Sequence, residues 1–202
     1  ENKPIHTTNL PWCNILRNNY KQIQNEYIKY TKSHSLGRFS FFDPEQKVVD
    51  TGEIPWDVII LRVYNKNTIK IHDFPFTYNL ISQIPGCSFA MFSVLKPGKI
   101  LKPHYGPYKG VIRYHLSIIT PKDSNKCYLT LDDKQYPWVE GTDIMFDDTF
   151  LHGASNYSDQ TRVVLFLDIK KQFNNLFINW FNSAFLYCAQ FNSSVDKIVK
   201  NI

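Results

Sequence analysis

The chain has only four cysteines, Cys13, Cys87, Cys127 and Cys188, and no two of them form a CxxC pair. Zinc-knuckle and thioredoxin-type sites therefore have nothing to start from. Three disulfide pairings are formally open, and buried free thiols are the simpler expectation. No apolar run reaches the roughly 20 residues of a membrane span, and no charged-then-apolar leader opens the chain. Localisation stays unassigned. A dense Lys/Arg block is also missing: the formal charge of +5 is spread along the sequence. Neither a nucleic-acid nor a membrane footprint is expected from it. There is no HExxH helix and no repeat module for recruiting a protein partner.

What is present reads as a packed protein. Hydrophobic residues make up 43% and aromatics 15%, which places the chain with globular rather than disordered sequences. Its 202 residues suffice for one domain with a sizeable core. Asn156-Tyr157-Ser158 and Asn192-Ser193-Ser194 fit the glycosylation acceptor pattern, which arises often by chance in an Asn-rich chain.

From Ile15 to about Lys32, Leu16, Tyr20, Ile23, Tyr27 and Tyr30 recur at steps of four and three. That spacing predicts an amphipathic helix with Asn14 as N-cap. Val58 to Tyr64 is β-rich, Asn65-Lys66-Asn67 signals a turn, and Thr68 to Ile71 is the expected returning strand. A short helix is expected over Thr77 to Ile84, before the Pro85-Gly86 break. Further strands are expected at Cys87–Leu95, Val111–Ile119, Cys127–Leu131, Asp143–Phe146 and Arg162–Ile169. Phe173, Leu176, Phe177, Trp180, Phe181, Ala184, Phe185 and Cys188 then keep helical spacing. This stripe is expected to pack on the outside of the sheet, with a dimer interface as the lesser alternative. Such an order predicts a mainly β protein, a jelly roll with flanking N- and C-terminal helices. Residues 1–86 would form a helix and hairpin support region, 87–170 the core and 171–202 the C-terminal helix of a single domain.

His104 and His152 each sit at the edge of a β-like segment, and Arg162 follows ten residues after the second. Imidazole nitrogen suits Fe(II), and the common non-haem iron site adds a carboxylate. That carboxylate ordinarily lies two residues after the first histidine, where this chain has Gly106. Iron and zinc both stay open on this pattern. In Val111–Ile119 the side chains alternate: Val111, Arg113, His115, Ser117 and Ile119 share one face, and the other is uniformly apolar. The polar face meets either water or a site.

Six strings keep one order and spacing: Phe92-Ser93-Val94-Leu95-Lys96-Pro97-Gly98, Pro103-His104-Tyr105-Gly106-Pro107, Arg113-Tyr114-His115-Leu116, Val139-Glu140-Gly141, Phe146-Asp147-Asp148-Thr149-Phe150-Leu151-His152 and Arg162-Val163-Val164-Leu165-Phe166. With them, Phe92 to Lys170 resembles the catalytic core of the aspartyl/asparaginyl β-hydroxylases, which are 2-oxoglutarate-dependent oxygenases. Pro11-Trp12 and the helix after it are similar to the family's entry segment. The family lacks the carboxylate ligand, so Gly106 agrees with it.

The resemblance implies a double-stranded β-helix holding Fe(II) through His104 and His152. It implies Arg162 and Ser93 on the distal carboxylate of 2-oxoglutarate. Arg113 and His115 would lie near its metal-bound end or the substrate acid, and Asp148 would meet a water on the iron. The implied reaction consumes 2-oxoglutarate and O₂ and hydroxylates the β-carbon of Asp or Asn in a protein or peptide. The family's protein-hydroxylating members carry a basic residue where this chain has Val111. That departure widens the expected targets to asparagine, another acid, or a lipid or small molecule. Two other classes remain as alternatives. One is a non-catalytic jelly-roll binding module, the other a zinc hydrolase, for which a third protein ligand is missing.

Overall fold

The computed structural model describes residues 3–42 and 48–201. Its strands are β1 (Ile5–His6), β2 (Gly37–Arg38), β3 (Asp57–Val63), β4 (Lys66–Asn67), β5 (Cys87–Leu95), β6 (Ile100–His104), β7 (Val111–Ile119), β8 (Cys127–Leu131), β9 (Lys134–Pro137), β10 (Asp143–Phe146), β11 (His152–Asn156) and β12 (Arg162–Lys170). The helices are α1 (Pro11–Asn18), α2 (Tyr20–Thr31), α3 (Phe39–Phe42), α4 (Pro75–Ser82), α5 (Leu176–Ala189) and α6 (Ser193–Asn201).

From β5 to β8, and again from β9 to β12, the chain alternates between two antiparallel sheets, with the β8-β9 hairpin between the two runs. The larger runs β1-β10-β7-β12-β5-β3-β2, with β4 paired to β3, and the smaller runs β6-β11-β8-β9. This alternation makes the molecule a double-stranded β-helix with helices at both ends, the jelly roll expected of the sequence.

Period-2 alternation sends one side of each strand into each of two apolar layers. Ile112, Tyr114, Leu116 and Ile118 of β7 meet Leu16, Ile23 and Tyr27 of α1 and α2 on the outer face of the larger sheet. Met91, Leu95, Val164 and Phe166 meet Leu129 and Leu131 between the sheets. Because helices cover the outer face, the polar side of β7 is turned inward. His115 is 6% and Ser117 1% exposed, so the question left open by the alternation is answered for the interior.

Several local expectations are corrected. The single N-terminal helix is two, and it starts earlier. Pro11 occupies the first turn, where its missing N–H costs nothing. Leu10, not Asn14, is the N-cap. The break falls at Asn19, whose ψ of 9° leaves the helical region. The hairpin turn is Tyr64-Asn65, with φ of 42° and 66°. It is thus a tight turn of the kind that matches strand twist, and the return strand is only Lys66–Asn67. Thr68 is not in a strand: its hydroxyl donates to the Ile60 carbonyl at 2.7 Å, and Ile69–Asp73 is a 3-10 turn. The α4 helix is capped from afar, since the Glu26 carboxylate of α2 accepts from the N–H groups of Phe76 and Thr77 at 2.8 Å each.

The short strands β6, β9 and β11 carry little propensity signal. β6 even contains Pro103, which is tolerated because β6 is an edge strand. All four cysteines are free, but Cys188 is exposed, so the expectation of buried thiols holds for three. Asn156 is fully buried, and its side-chain amide donates to the Leu95 and Gln160 carbonyls, which rules out that acceptor site in the folded chain.

The largest correction concerns α5. Its aromatic stripe does not lie against the sheet. Leu176 is 84%, Phe177 72% and Trp180 65% exposed, while only Asn182 and Leu186 of this helix are buried. The sheet's outer face is already occupied by α1, α2 and α4. The attachment is polar instead: Asn182 donates to the carbonyls of Gly110 (2.9 Å) and Lys171 (3.1 Å), and accepts from the Tyr108 hydroxyl (2.6 Å).

Candidate metal and anion site

His104 closes β6 and His152 opens β11, and the register places them directly opposite. Their ring centroids are 4.2 Å apart. One local device orients both. His104 Nδ1 lies 2.8 Å from the Lys102 carbonyl oxygen, and His152 Nδ1 lies 3.0 Å from that of Phe150. A carbonyl only accepts, so each Nδ1 carries the proton and each Nε2 keeps its lone pair. Burial lowers the pKa of His104, and burial together with Arg113 and His104 brings that of His152 down to about 3. Both rings are therefore neutral near pH 7, the state that binds a metal. Next to His152 the strand bulges, and a Cβ on Gly153 would come within 2.9 Å of the Leu101 carbonyl oxygen. Glycine lets β6 and β11 approach closely enough to pair the two rings.

Among the described residues, no cluster of three His, Cys, Asp or Glu side chains could enclose an ion. The position two residues after His104 explains itself from the other side. A Cβ on Gly106 would collide with the carboxyl of Asp148, and the Gly106 N–H donates to the Asp148 carbonyl at 2.7 Å. A carboxylate thus reaches this corner from residue 148 instead of 106. Its Oδ2 is 2.9 Å from Arg113 Nη2, while Oδ1 is buried with no hydrogen-bond partner among the described residues. Burial pushes the Asp148 carboxyl above the usual carboxylate range against the pull of Arg113. The neighbouring Asp147 has a structural task, accepting from Thr149 and pairing with Lys171 at 2.8 Å.

Arg113 is largely committed. Asp168 stands opposite it across β7 and β12 and takes a bidentate pair, with Nε at 3.0 Å and Nη2 at 3.2 Å. With Asp148 as well, Arg113 orients one carboxylate with the help of another. His115 is buried among Phe146, Phe166 and Trp138, and neither ring nitrogen has a hydrogen-bond partner among the described residues. Burial holds its pKa well below the ordinary value, with Arg162 and Arg113 acting the same way.

Arg162 is the most unusual residue of the site. It is 1% exposed, and its Nη1 donates to the Ser93 carbonyl at 2.9 Å and to the Ser93 hydroxyl at 3.2 Å. The guanidinium lies over Trp138, 4.2 Å from the ring centre. The neutral Cys127 thiol is its other neighbour, but no Asp or Glu among the described residues pairs with it, and Nε has no hydrogen-bond partner among them. Burial pulls its pKa down to about 10. A buried guanidinium without a counter-charge is costly, and its open donors mark a place for an anion.

No sequence motif points to what holds Ser93. Trp56 Nε1 donates to the Ser93 hydroxyl at 2.9 Å, and the Trp56 backbone N–H donates to Asp50 at 3.0 Å. Asp50 is in turn gripped by the fully buried Lys99 at 2.6 Å and by Arg38 at 3.2 Å. Lys99 and Asp50 are 49 residues apart, so no local motif could reveal the strut.

Ser93, His104, Arg113, His115, His152 and Arg162 all line one interior cavity of ≈ 30 Å³. Trp56, His104, Arg113 and Phe166 also border a groove of ≈ 990 Å³, whose walls include Asp148, Phe89, Val111, Phe185, Leu186, Phe191 and Ile198. All seven residues singled out from the sequence therefore lie on this cavity or groove.

The sequence profile described as Aspartyl/Asparaginyl beta-hydroxylase matches residues 17–172. The ornithine lipid ester-linked acyl 2-hydroxylase of Rhizobium tropici is 35% identical over 184 residues, covering 89% of this chain and 65% of that protein. Aspartate beta-hydroxylase domain-containing protein 2 of Homo sapiens is 38% identical over 104 residues, covering 47% of this chain and 27% of that protein. The chain thus spans less than two thirds of the length of either relative. With the profile covering most of its length, the chain belongs to the aspartyl/asparaginyl beta-hydroxylase family.

Proposed function

We propose that this protein is an Fe(II)- and 2-oxoglutarate-dependent dioxygenase that hydroxylates a carbon of an acyl chain. The observation that carries the cofactor reading is Arg162, a buried cation with no acid partner among the described residues, opening on the same cavity as two imidazoles with free Nε2 lone pairs. When bound, Fe(II) and 2-oxoglutarate would let O₂ hydroxylate an unactivated C–H, one oxygen atom going to the substrate and the other to succinate, with release of CO₂.

His104 and His152 would hold the metal, and Arg162 with the Ser93 hydroxyl would take the far carboxylate of the dicarboxylate. Trp56 fixes Ser93, and Trp138 supports the guanidinium face. Asp148, held by Arg113, offers an acceptor oxygen near the histidine pair. Phe146, Phe166 and Trp138 keep water from this interior, which strengthens each polar contact inside it.

The acyl substrate is supported by the apolar walls of the groove, where Val111 stands in place of a basic residue, and by the lipid named for the Rhizobium relative. The second reading, β-hydroxylation of Asp or Asn in a peptide, is favoured by the family's description.

The test incubates the purified chain with Fe(II), 2-oxoglutarate and O₂, offering an amino-acid lipid with an ester-linked acyl chain and, separately, Asp- and Asn-containing peptides. Succinate release coupled to a gain of one oxygen on the lipid is expected. Gain on peptides alone would move the assignment to the second reading. Turnover unchanged in His104→Ala and His152→Ala would end both.

A further inference from the structure

We infer that the outer face of α5 is a docking surface for an anionic lipid bilayer, set at the rim of the substrate groove. The inference rests on the acyl-chain reading for its purpose, but its physical grounds are separate. It also revises the expectation from charge distribution, which showed no membrane footprint because the relevant residues are aromatic and become contiguous only on the folded surface.

The first ground is exposure. α5 contains no charged residue. Its buried side carries Leu186 and Asn182, the latter tied to Gly110, Lys171 and Tyr108. The side turned to solvent carries Leu176, Phe177, Trp180, Phe181 and Tyr187, each at least 58% exposed. A face of this size is costly in water and is normally covered. Trp and Tyr are the side chains that settle at the boundary of a bilayer, since each has an apolar body and a polar tip.

The second ground is continuity. Phe185 and Phe191 are 44% and 63% exposed, and both also line the groove. The apolar face therefore runs into the groove walls formed by Leu186, Ala189, Val195 and Ile198, and from there toward His104. A bilayer against this face would present acyl chains at the groove's edge.

The third ground is charge. From residue 170 to residue 200 there are four lysines and one acid, Asp196. Lys66 already pairs with Asp196 at 2.7 Å, and Lys170 and Lys171 are held by Ser183 and Asp147. On the groove-forming segments this leaves Lys109 and Lys197 exposed with no ion pair among the described residues, and Lys200 exposed and sharing Asp196 with Lys66. Basic residues beside an apolar face suit an anionic lipid surface. They disfavour a two-fold contact between copies, because the same patch would meet itself and bring lysines against lysines.

The experiment is vesicle flotation of the full chain, without metal or 2-oxoglutarate. It compares phosphatidylcholine vesicles with vesicles of phosphatidylcholine and phosphatidylglycerol in equal amounts. Wild type is expected to float with the mixed vesicles, less so in high salt, with a blue shift of Trp180 emission that Trp180→Phe removes. Phe177→Ser/Trp180→Ser/Phe181→Ser is expected to keep the wild-type circular dichroism and melting temperature, because all three side chains are exposed, and to float at least tenfold more weakly. Lys197→Gln/Lys200→Gln is expected to lose part of the preference for anionic vesicles.

Absence of flotation, or flotation unchanged in the triple variant, overturns the inference. So does sedimentation showing a wild-type dimer that the triple variant dissolves, which would assign the face to a second copy. Because binding needs no cofactor, flotation can persist if the dioxygenase reading fails, and turnover on detergent-dispersed lipid can persist if this inference fails.

Discussion

Arg162→Met is expected to cost the ligand-free protein only ~2 kcal/mol while removing most of its affinity for 2-oxoglutarate. Burial lowers the guanidinium pKa from 12.5 to about 10. The unfolded chain therefore holds the proton more tightly, and below about pH 10 the charge opposes folding. At ~1.4 kcal/mol per pH unit the cost is about 3 kcal/mol. Against it stand the two contacts from the charged guanidinium to Ser93, each worth ~1.5 kcal/mol, and the stacking on Trp138, worth about 2 kcal/mol when desolvated. Methionine keeps the apolar stem, so the net loss is only ~2 kcal/mol. A loss of ~2 kcal/mol lowers the melting temperature of a chain this size by about 4–8 °C. Breaking an ordinary buried ion pair would instead cost 3–5 kcal/mol, by the usual order of magnitude. The binding arm differs sharply: losing one charge-assisted pair of ~3 kcal/mol weakens 2-oxoglutarate roughly 150-fold. Scanning calorimetry without ligand and titration calorimetry with Mn(II) and 2-oxoglutarate read the two arms. A large loss of stability together with affinity retained within a few-fold would refute the reasoning, because Arg162 would then be a structural cation with a partner of its own.

Three further outcomes are expected. Gly106→Ala forces Asp148 out of its corner, so turnover should fall by about two orders of magnitude, on the scale of a displaced catalytic group, and melting should drop measurably; Asp148→Ala/Gly106→Ala should recover the melting temperature but not turnover. Burial raises the Asp50 carboxyl, but Lys99, the Trp56 N–H and Arg38 outweigh it and hold the pKa below the ordinary value. Its stabilisation should be complete above about pH 4 and lost as pH falls through the lowered value, so Asp50→Asn should flatten the acid limb of a melting-temperature profile. Burial pushes the Cys13 and Cys87 thiols up to about 12 and also raises Cys127, whereas Cys188 is exposed. One thiol should react with a maleimide in the native protein and the other three only after denaturation, as counted by mass spectrometry.

The histidines and Arg162 were legible because each lies in a short string whose neighbours set its direction. The carbonyls that turn the two rings are two residues upstream in both cases. The inward polar face of β7 was half legible: alternation gave the face, but only the helices packed on the opposite side decided that it was dry. Asp148 filling the space beside Gly106 could not be read, since it depends on two loops 42 residues apart meeting at atomic contact. The same holds for the strut from Lys99 through Asp50 and Trp56 to Ser93. For α5 the periodicity identified an apolar stripe correctly, yet a stripe does not say whether the fold supplies its cover. Here α1, α2 and α4 had taken the sheet's outer face, and a buried asparagine fixed the helix with its aromatics outward.

Titration of 2-oxoglutarate into the oxygen-free protein, with and without Mn(II), tests the central claim most directly. The account expects clearly tighter binding with the metal in wild type, a metal effect lost in His152→Ala, and weak binding throughout in Arg162→Met. Binding that ignores the metal in wild type, or that survives unchanged in both variants, would contradict a shared site for the two.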